Sequence, residues 1–223
     1  MSCRIVVLIS GSGSNLQAFI DTLHARQADI VAVISNRADA FGLERAARAG
    51  IPGAVLDHRE FADRATYDQA LAALIDTHGP DLVILAGFMR ILTSEFVQHY
   101  QGRLLNIHPS LLPKYTGLHT HRRALEAGDR EHGATVHFVT EELDGGPAIM
   151  QSHVPVLADD TPDTLAARVR DTEHRLYPLA AMLYVSGRLR LEDGQACLDG
   201  TPIAPCGLRL DQIEADTRGH LHD

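Results

Sequence analysis

Three short runs of branched apolar residues punctuate the first half of the chain: Ile5 to Ile9, Ile30 to Ile34, and Leu82 to Leu85, each bounded by glycine, asparagine or proline. Apolarity that is continuous rather than alternating marks strands buried on both faces. Between the runs, apolar residues recur at helical spacing. Leu16, Phe19, Ile20 and Leu23 share one face, as do Leu43, Ala46 and Ala47, and further on Tyr67, Leu71, Leu74 and Ile75. Gly50 and Gly79-Pro80 supply the stops after the second and third helices. This alternation predicts an α/β fold with a mostly parallel, Rossmann-like twisted sheet through about residue 108, flanked by helices on right-handed crossovers.

The second half changes pattern. Thr135 to Val139 and Ile149 to Val156 read as two antiparallel strands around the Asp144-Gly145-Gly146-Pro147 turn. Thr161-Pro162-Asp163 then opens a long helix, with threonine as N-cap and proline at the first helical position. The helix pattern runs to about Leu183, with Pro178 expected to kink it or end it early. Leu189 to Leu191 and Ala196 to Leu198 flank Asp193-Gly194 as a small hairpin. With no repeat and no linker rich in Gly, Ser or Pro, residues 1–205 read as a single domain. Residues 206–223 read as a polar tail, peripheral or disordered.

Composition narrows the function classes. A formal net charge of -9, with dispersed Lys and Arg, argues against a nucleic-acid surface. No apolar run approaches a bilayer span, and the N-terminus enters a strand-like run without a signal-peptide layout. Cys3, Cys197 and Cys206 are odd in number and widely spaced, which suggests neither a disulfide framework nor a zinc knuckle. A reducing cytoplasm is the expected setting.

Candidate chemistry concentrates in Leu104-Leu105-Asn106-Ile107-His108-Pro109-Ser110-Leu111-Leu112-Pro113, where an apolar strand meets a loop bounded by prolines. Side chains at i and i+2 of a strand share a face, so Asn106 and His108 can address one reacting atom, an arrangement suited to acyl or formyl transfer. The plainer alternative is a strand end whose Asn and His satisfy turn hydrogen bonds. Ser10-Gly11-Ser12-Gly13-Ser14-Asn15 follows the first strand and opens the first helix, where α/β proteins hold phosphates on free backbone N–H groups. Leu16 stands where a dinucleotide fingerprint has its third glycine, and Ser35-Asn36-Arg37 offers no carboxylate for a ribose diol. A single phosphate on Gly13, Ser14 and Asn15 is therefore the better reading, against a glycine turn that holds nothing. Asp144 is either a plain Asp-Gly turn residue or a carboxylate that favours the imidazolium of His108. The histidines around His119-Thr120-His121 lack HExxH, a Cys pair or a carboxylate at ligand spacing, so no metal is expected; Ser110 lacks the elbow of a serine hydrolase. The Phe88 to Leu92 stretch is either core packing or an apolar slot for a flat heterocycle.

Together these motifs resemble the folate-dependent glycinamide ribonucleotide formyltransferases of purine biosynthesis. The resemblance runs from about Arg4 to Leu198. It rests on the Ile9 to Ala18 glycine loop, Ile34-Ser35-Asn36-Arg37, Ala40-Phe41-Gly42-Leu43, Leu85-Ala86-Gly87-Phe88-Met89-Arg90-Ile91-Leu92, the Asn106 to Pro113 run, Gly117 to His121, His132-Gly133, Val136 to Val139, and Leu143-Asp144-Gly145-Gly146-Pro147. It implies that Asn106, His108 and Asp144 are catalytic. Gly13, Ser14 and Asn15 would hold the phosphate of phosphoribosylglycinamide, and Glu173 its ribose hydroxyls. Arg64, Met89, Arg90, Ile91, Leu92 and Asn106, with Thr140, Glu141 and Leu143 of the 140–144 segment, would bind the co-substrate 10-formyltetrahydrofolate. The partners implied are these small molecules, with no nucleic acid, no membrane and no metal, in a monomer or homodimer. Thr116 departs from a proline common in the family, and the tail beyond Pro205 matches nothing in it; neither is expected to touch the chemistry.

Two other functions stay in view. A hydrolase that deformylates the same folate shares the catalytic run, but its relatives carry an N-terminal regulatory domain, whereas strand one here is expected at residue 4. A non-catalytic nucleotide-binding protein would need a degenerate site, and Asn106, His108 and Asp144 are intact. The acidic charge disfavours a formyltransferase acting on initiator tRNA.

Overall fold

Ile5 through Ile9 are all buried, and in the computed structural model they lie within β1 (Cys3–Ile9). The structure describes residues 2–219, with backbone alone for 215–219. Two compact units divide the chain: one comprises the residues up to Asn106 together with Val139–Glu141, the other Ile107–Phe138 and the residues from Glu142 onward.

In the first unit the elements follow as α1 (Ser14–Thr22), β2 (Ala28–Ser35), α2 (Gly42–Arg48), β3 (Gly53–Val55), α3 (Arg64–Asp76), β4 (Leu82–Leu85), α4 (Ser94–His99) and β5 (Leu104–His108), whose last two residues belong to the second unit. The strands are parallel in the order β3-β2-β1-β4-β5. Chain order therefore reverses between β1 and β4, since the chain builds outward to β3 and returns to add β4 on the other side. Open α/β sheets bind ligands outside the carboxyl ends of strands at such a switch point. Val6, Leu8, Ile34, Val83 and Leu104 from the sheet pack with Tyr67, Leu71 and Ile75 from α3, Phe96 from α4 and Tyr100 just after it into one buried cluster.

The second unit holds α5 (Thr120–Glu126), β6 (Glu131–Phe138), β7 (Ala148–Pro155), α6 (Pro162–Val185), β8 (Leu189–Glu192), β9 (Gln195–Leu198), β10 (Thr201–Pro202), β11 (Leu208–Arg209) and α7 (Leu210–Gly219). β6 and β7 pair antiparallel, while β8, β9 and β10 form a separate small antiparallel sheet. Asp193 (φ 48°) and Gly194 (φ 77°) make the left-handed turn that a two-residue hairpin requires.

Three features depart from the sequence reading. β3, α4 and α5 carry too few residues to print a period, and α4 is set by a local cap in which Thr93 Oγ1 accepts from the Phe96 N–H. α6 runs unbroken through Pro178. An interior proline costs about 3 kcal/mol. Against it stand the Thr161/Thr164 capping box and the burial of Leu165, Val169, Leu176, Tyr177 and Leu183, each contributing about 1.5–3 kcal/mol. The tail is not all loose: Leu208 and Arg209 pair in parallel with Met150 and Gln151 of β7, and Leu210 is buried.

Candidate active site

His108 ends β5 and is 6% exposed. Its Nε2 lies 2.8 Å from the Tyr115 carbonyl oxygen, and its Nδ1 lies 3.4 Å from Asp144 Oδ2. A carbonyl only accepts, so Nε2 carries a proton, and the Asp144 carboxylate, which also only accepts, faces the ring's other nitrogen. At 3.4 Å the Asp144 contact is an ion pair slightly longer than an ordinary hydrogen bond.

Both partners are fixed from the backbone outward. Asp144 sits in the 142–145 turn closed by Gly145 N–H to the Glu142 carbonyl, so the turn and the carboxylate are one device. Its φ of 54° lies in the left-handed region, and its Oδ2 also accepts from the Gly117 N–H at 2.8 Å. Tyr115 adopts φ 58°, which costs a non-glycine residue roughly 1–2 kcal/mol. Buried polar contacts beneath the loop hold it there. Ser110 Oγ donates to the Lys114 carbonyl, Thr135 Oγ1 donates to the Ser110 carbonyl, and Gln151 Nε2 donates to the Leu112 carbonyl. Tyr115 and Gly117 were invisible as site residues in the sequence because each acts through its backbone. Thr116 lies between them, with its carbonyl held by Arg123 at 2.6 Å, so this departure from the family pattern falls within the frame of the site and not away from it.

Two other histidines of this unit face each other. His132 Nε2 lies 3.1 Å from His121 Nδ1, and its other ring nitrogen faces the Pro109 carbonyl. Burial and the neighbouring His121 ring push His132 down to about 4, and burial lowers His121 as well. A base depressed on folding leaves stability intact above the unfolded value near 6.5 and drains it as pH falls toward 4. We expect the native state to lose about 3 kcal/mol over that window, at about 1.4 kcal/mol per pH unit. Urea unfolding at successive pH values checks this, and His132→Asn should flatten the dependence.

In the first unit, Gly13 caps α1 with φ 68° and brings no side-chain acceptor to the N–H groups that open the helix. A Cβ on Gly13 would stand 2.6 Å from Gly42 Cα, which explains glycine at position 13. Gly42 N–H donates to the Gly11 carbonyl, and Arg45 Nε donates to the Ser12 carbonyl at 2.8 Å, so α2 fixes the loop and brings a cation to it. Across the switch point, the segment after β4 exposes Met89 (69%) and Ile91 (57%), with Arg90 stacked 5.3 Å over the Tyr67 ring and Leu92 half-buried. β4 ends at Leu85, paired with Asn106, so this segment leaves the sheet beside that amide. Arg64 opens α3 and is exposed; Thr140 is half-buried, and Glu141 accepts from Gln98 at 2.7 Å. In the second unit Leu143 is exposed and Glu173 is half-buried on α6.

The first unit presents a switch-point glycine loop and an exposed apolar segment beside an amide, and the second holds a buried His–Asp pair. Residues 3–181 match the family model described as formyl transferase. The chain is 57% identical over 211 residues to the phosphoribosylglycinamide formyltransferase of Escherichia coli (strain K12), covering 94% of this chain and 100% of that one. It is 48% identical over 197 residues to the trifunctional purine biosynthetic protein adenosine-3 of Homo sapiens, covering 87% of this chain and 20% of that protein. Its fold matches the solved phosphoribosylglycinamide formyltransferase of Coxiella burnetii with a TM-score of 0.90 and 50% identity, over 94% of this chain and 99% of the other. The chain belongs to the formyl transferase family.

Proposed function

We propose that this protein transfers the formyl group of 10-formyltetrahydrofolate to the amine of 5-phosphoribosylglycinamide, a step of purine biosynthesis. The observation that carries the reading is the His108 ring held between the Tyr115 carbonyl and the Asp144 carboxylate, in a chain of this family. The Escherichia coli and Coxiella burnetii relatives are named phosphoribosylglycinamide formyltransferase.

The substrate amine attacks the formyl carbon and forms a C–N bond, and the carbonyl oxygen becomes an oxyanion. Asn106 donates to that oxygen, a contribution typically of ~10² to 10³ in rate. His108 stabilises the oxyanion and moves the proton at Nδ1, held only by the long 3.4 Å contact to Asp144, toward N10 of the folate as the C–N10 bond breaks. General acid catalysis of this kind contributes typically ~10² to 10⁴. The proton released by the attacking amine restores the balance. No metal enters these steps. Gly13, Ser14 and Asn15 hold the substrate phosphate through backbone N–H groups, and Glu173 takes the ribose hydroxyls. Arg64, the Met89 to Leu92 segment, Thr140, Glu141 and Leu143 take the folate.

Formyl release, followed by folate absorbance with and without 5-phosphoribosylglycinamide, tests the proposal. Turnover is expected only when the amine is present, with formylated amine as product. Equal formyl loss in its absence would make the protein a deformylase.

A further inference from the structure

The root of the glycine loop and the root of the 89–92 segment share a single hydroxyl. Ser10, 7% exposed and directly after β1, accepts a hydrogen bond from the Met89 N–H at 2.9 Å and donates one to Asn36 Oδ1 at 2.6 Å. Asn36 is itself buried, and its Nδ2 lies 3.3 Å from His58 Nδ1, so the acceptor is held in turn. The far end of the same segment is pinned independently, by the Thr93 N–H donating to buried Asp68 at 2.6 Å. Between these two anchors stand the exposed Met89 and Ile91. One anchor is thus a plain tether to a helix, while the other is Ser10, the residue that adjoins Gly11 at the root of the glycine loop.

We infer that Ser10 couples the two ligand sites energetically, so that a phosphorylated ligand on the glycine loop and a heterocycle on the 89–92 segment each tighten the binding of the other. The inference rests on the proposed function for the identity of the ligands. Whichever ligand arrives first orders one loop, and through the Ser10 hydroxyl it fixes the Met89 amide or the glycine loop in the geometry the second ligand needs. The second ligand then meets a smaller ordering cost, which is positive cooperativity, and linkage makes the effect equal in both directions. Ser10 touches neither set of reacting atoms and is a positioning residue.

Calorimetric titration of the full chain tests this with 5-phosphoribosylglycinamide and with tetrahydrofolate, each alone and each in the presence of the saturating other. In the wild type, each ligand should tighten the other by about five-fold or more, the lower end of ordinary coupling. In Ser10→Ala, and in Ser10→Cys, which keeps the volume but offers only a weakly bonding thiol, the factor should fall below about two. Ser10→Thr retains the hydroxyl and should retain the coupling. Ile75→Val, a core change on α3 away from both loops, controls for lost stability and should leave the factor unchanged. A wild-type factor of one, or Ala and Cys variants that keep the wild-type factor, overturns the coupling role. A wild type that binds neither ligand overturns the proposed function and this inference with it, and that outcome is distinct from two ligands that bind independently.

Discussion

His108→Ala is expected to bind phosphoribosylglycinamide and folate with dissociation constants near the wild-type values while its kcat falls by ~10² to 10⁴, the range for loss of a positioned general acid. The separation of effects follows from where the ring sits. It is buried at the end of β5, with Nε2 2.8 Å from the Tyr115 carbonyl and Nδ1 3.4 Å from Asp144, and apart from Asn106 the groups proposed to hold the ligands belong to other segments. Removing the ring also leaves the Asp144 carboxylate without its cation, although Gly117 N–H still donates to it. Some loss of stability should therefore accompany the loss of turnover. Calorimetric binding beside steady-state kinetics distinguishes the two, and a kcat within three-fold of wild type would remove His108 from the mechanism.

Asp144→Asn probes the other half of the pair. An asparagine whose oxygen keeps the Oδ2 position can still accept from the Gly117 N–H and from a His108 Nδ1–H, so the turn should survive, but the ring then faces a neutral amide in place of a carboxylate. Charge assistance between an imidazolium and a carboxylate is worth roughly 1.5–3 kcal/mol, and the substitution removes it. We expect kcat to fall by about 10- to 100-fold at one decade per 1.4 kcal/mol, with KM for both substrates little changed. A kcat within three-fold of wild type would make Asp144 a loop residue and nothing more.

How much of this was legible in the sequence depends on the scale at which each signal is written. β1, β2 and β4 announce themselves because burial on both faces demands unbroken branched apolar runs, and α1, α2 and α3 because one packed face repeats every three to four residues. The proximity of Asp144 and His108 is different. Nothing local distinguishes Asp144 from any other Asp-Gly turn, and the contact is made by the return of the chain from β6 toward β7. The frame around the pair was less visible still. Tyr115 contributes a carbonyl, Gly117 an amide, and the support beneath them comes from Ser110, Thr135 and Gln151, three residues that read as ordinary polar positions. Backbone groups carry no residue code, so a site built partly from them can be found only once the chain is folded. At Pro178 an early end of the helix was one of the two outcomes expected, and there a strong local rule was overridden by the apolar face of α6.

The pairing of β11 with β7 has a practical consequence for anyone handling this protein. Residues after Pro205 look expendable, and a shortened version ending there would be a natural choice for expression. Such a cut would leave β7 paired with β6 on one side only and open along the other, baring the Met150 and Gln151 backbone as a template for a second molecule. Gln151 is also the residue whose side chain steadies the Leu112 carbonyl in the loop under His108. A trimmed protein would thus risk self-association and a loosened catalytic loop from the same change, and the C-terminal segment is better regarded as a seal on the sheet than as a spare end.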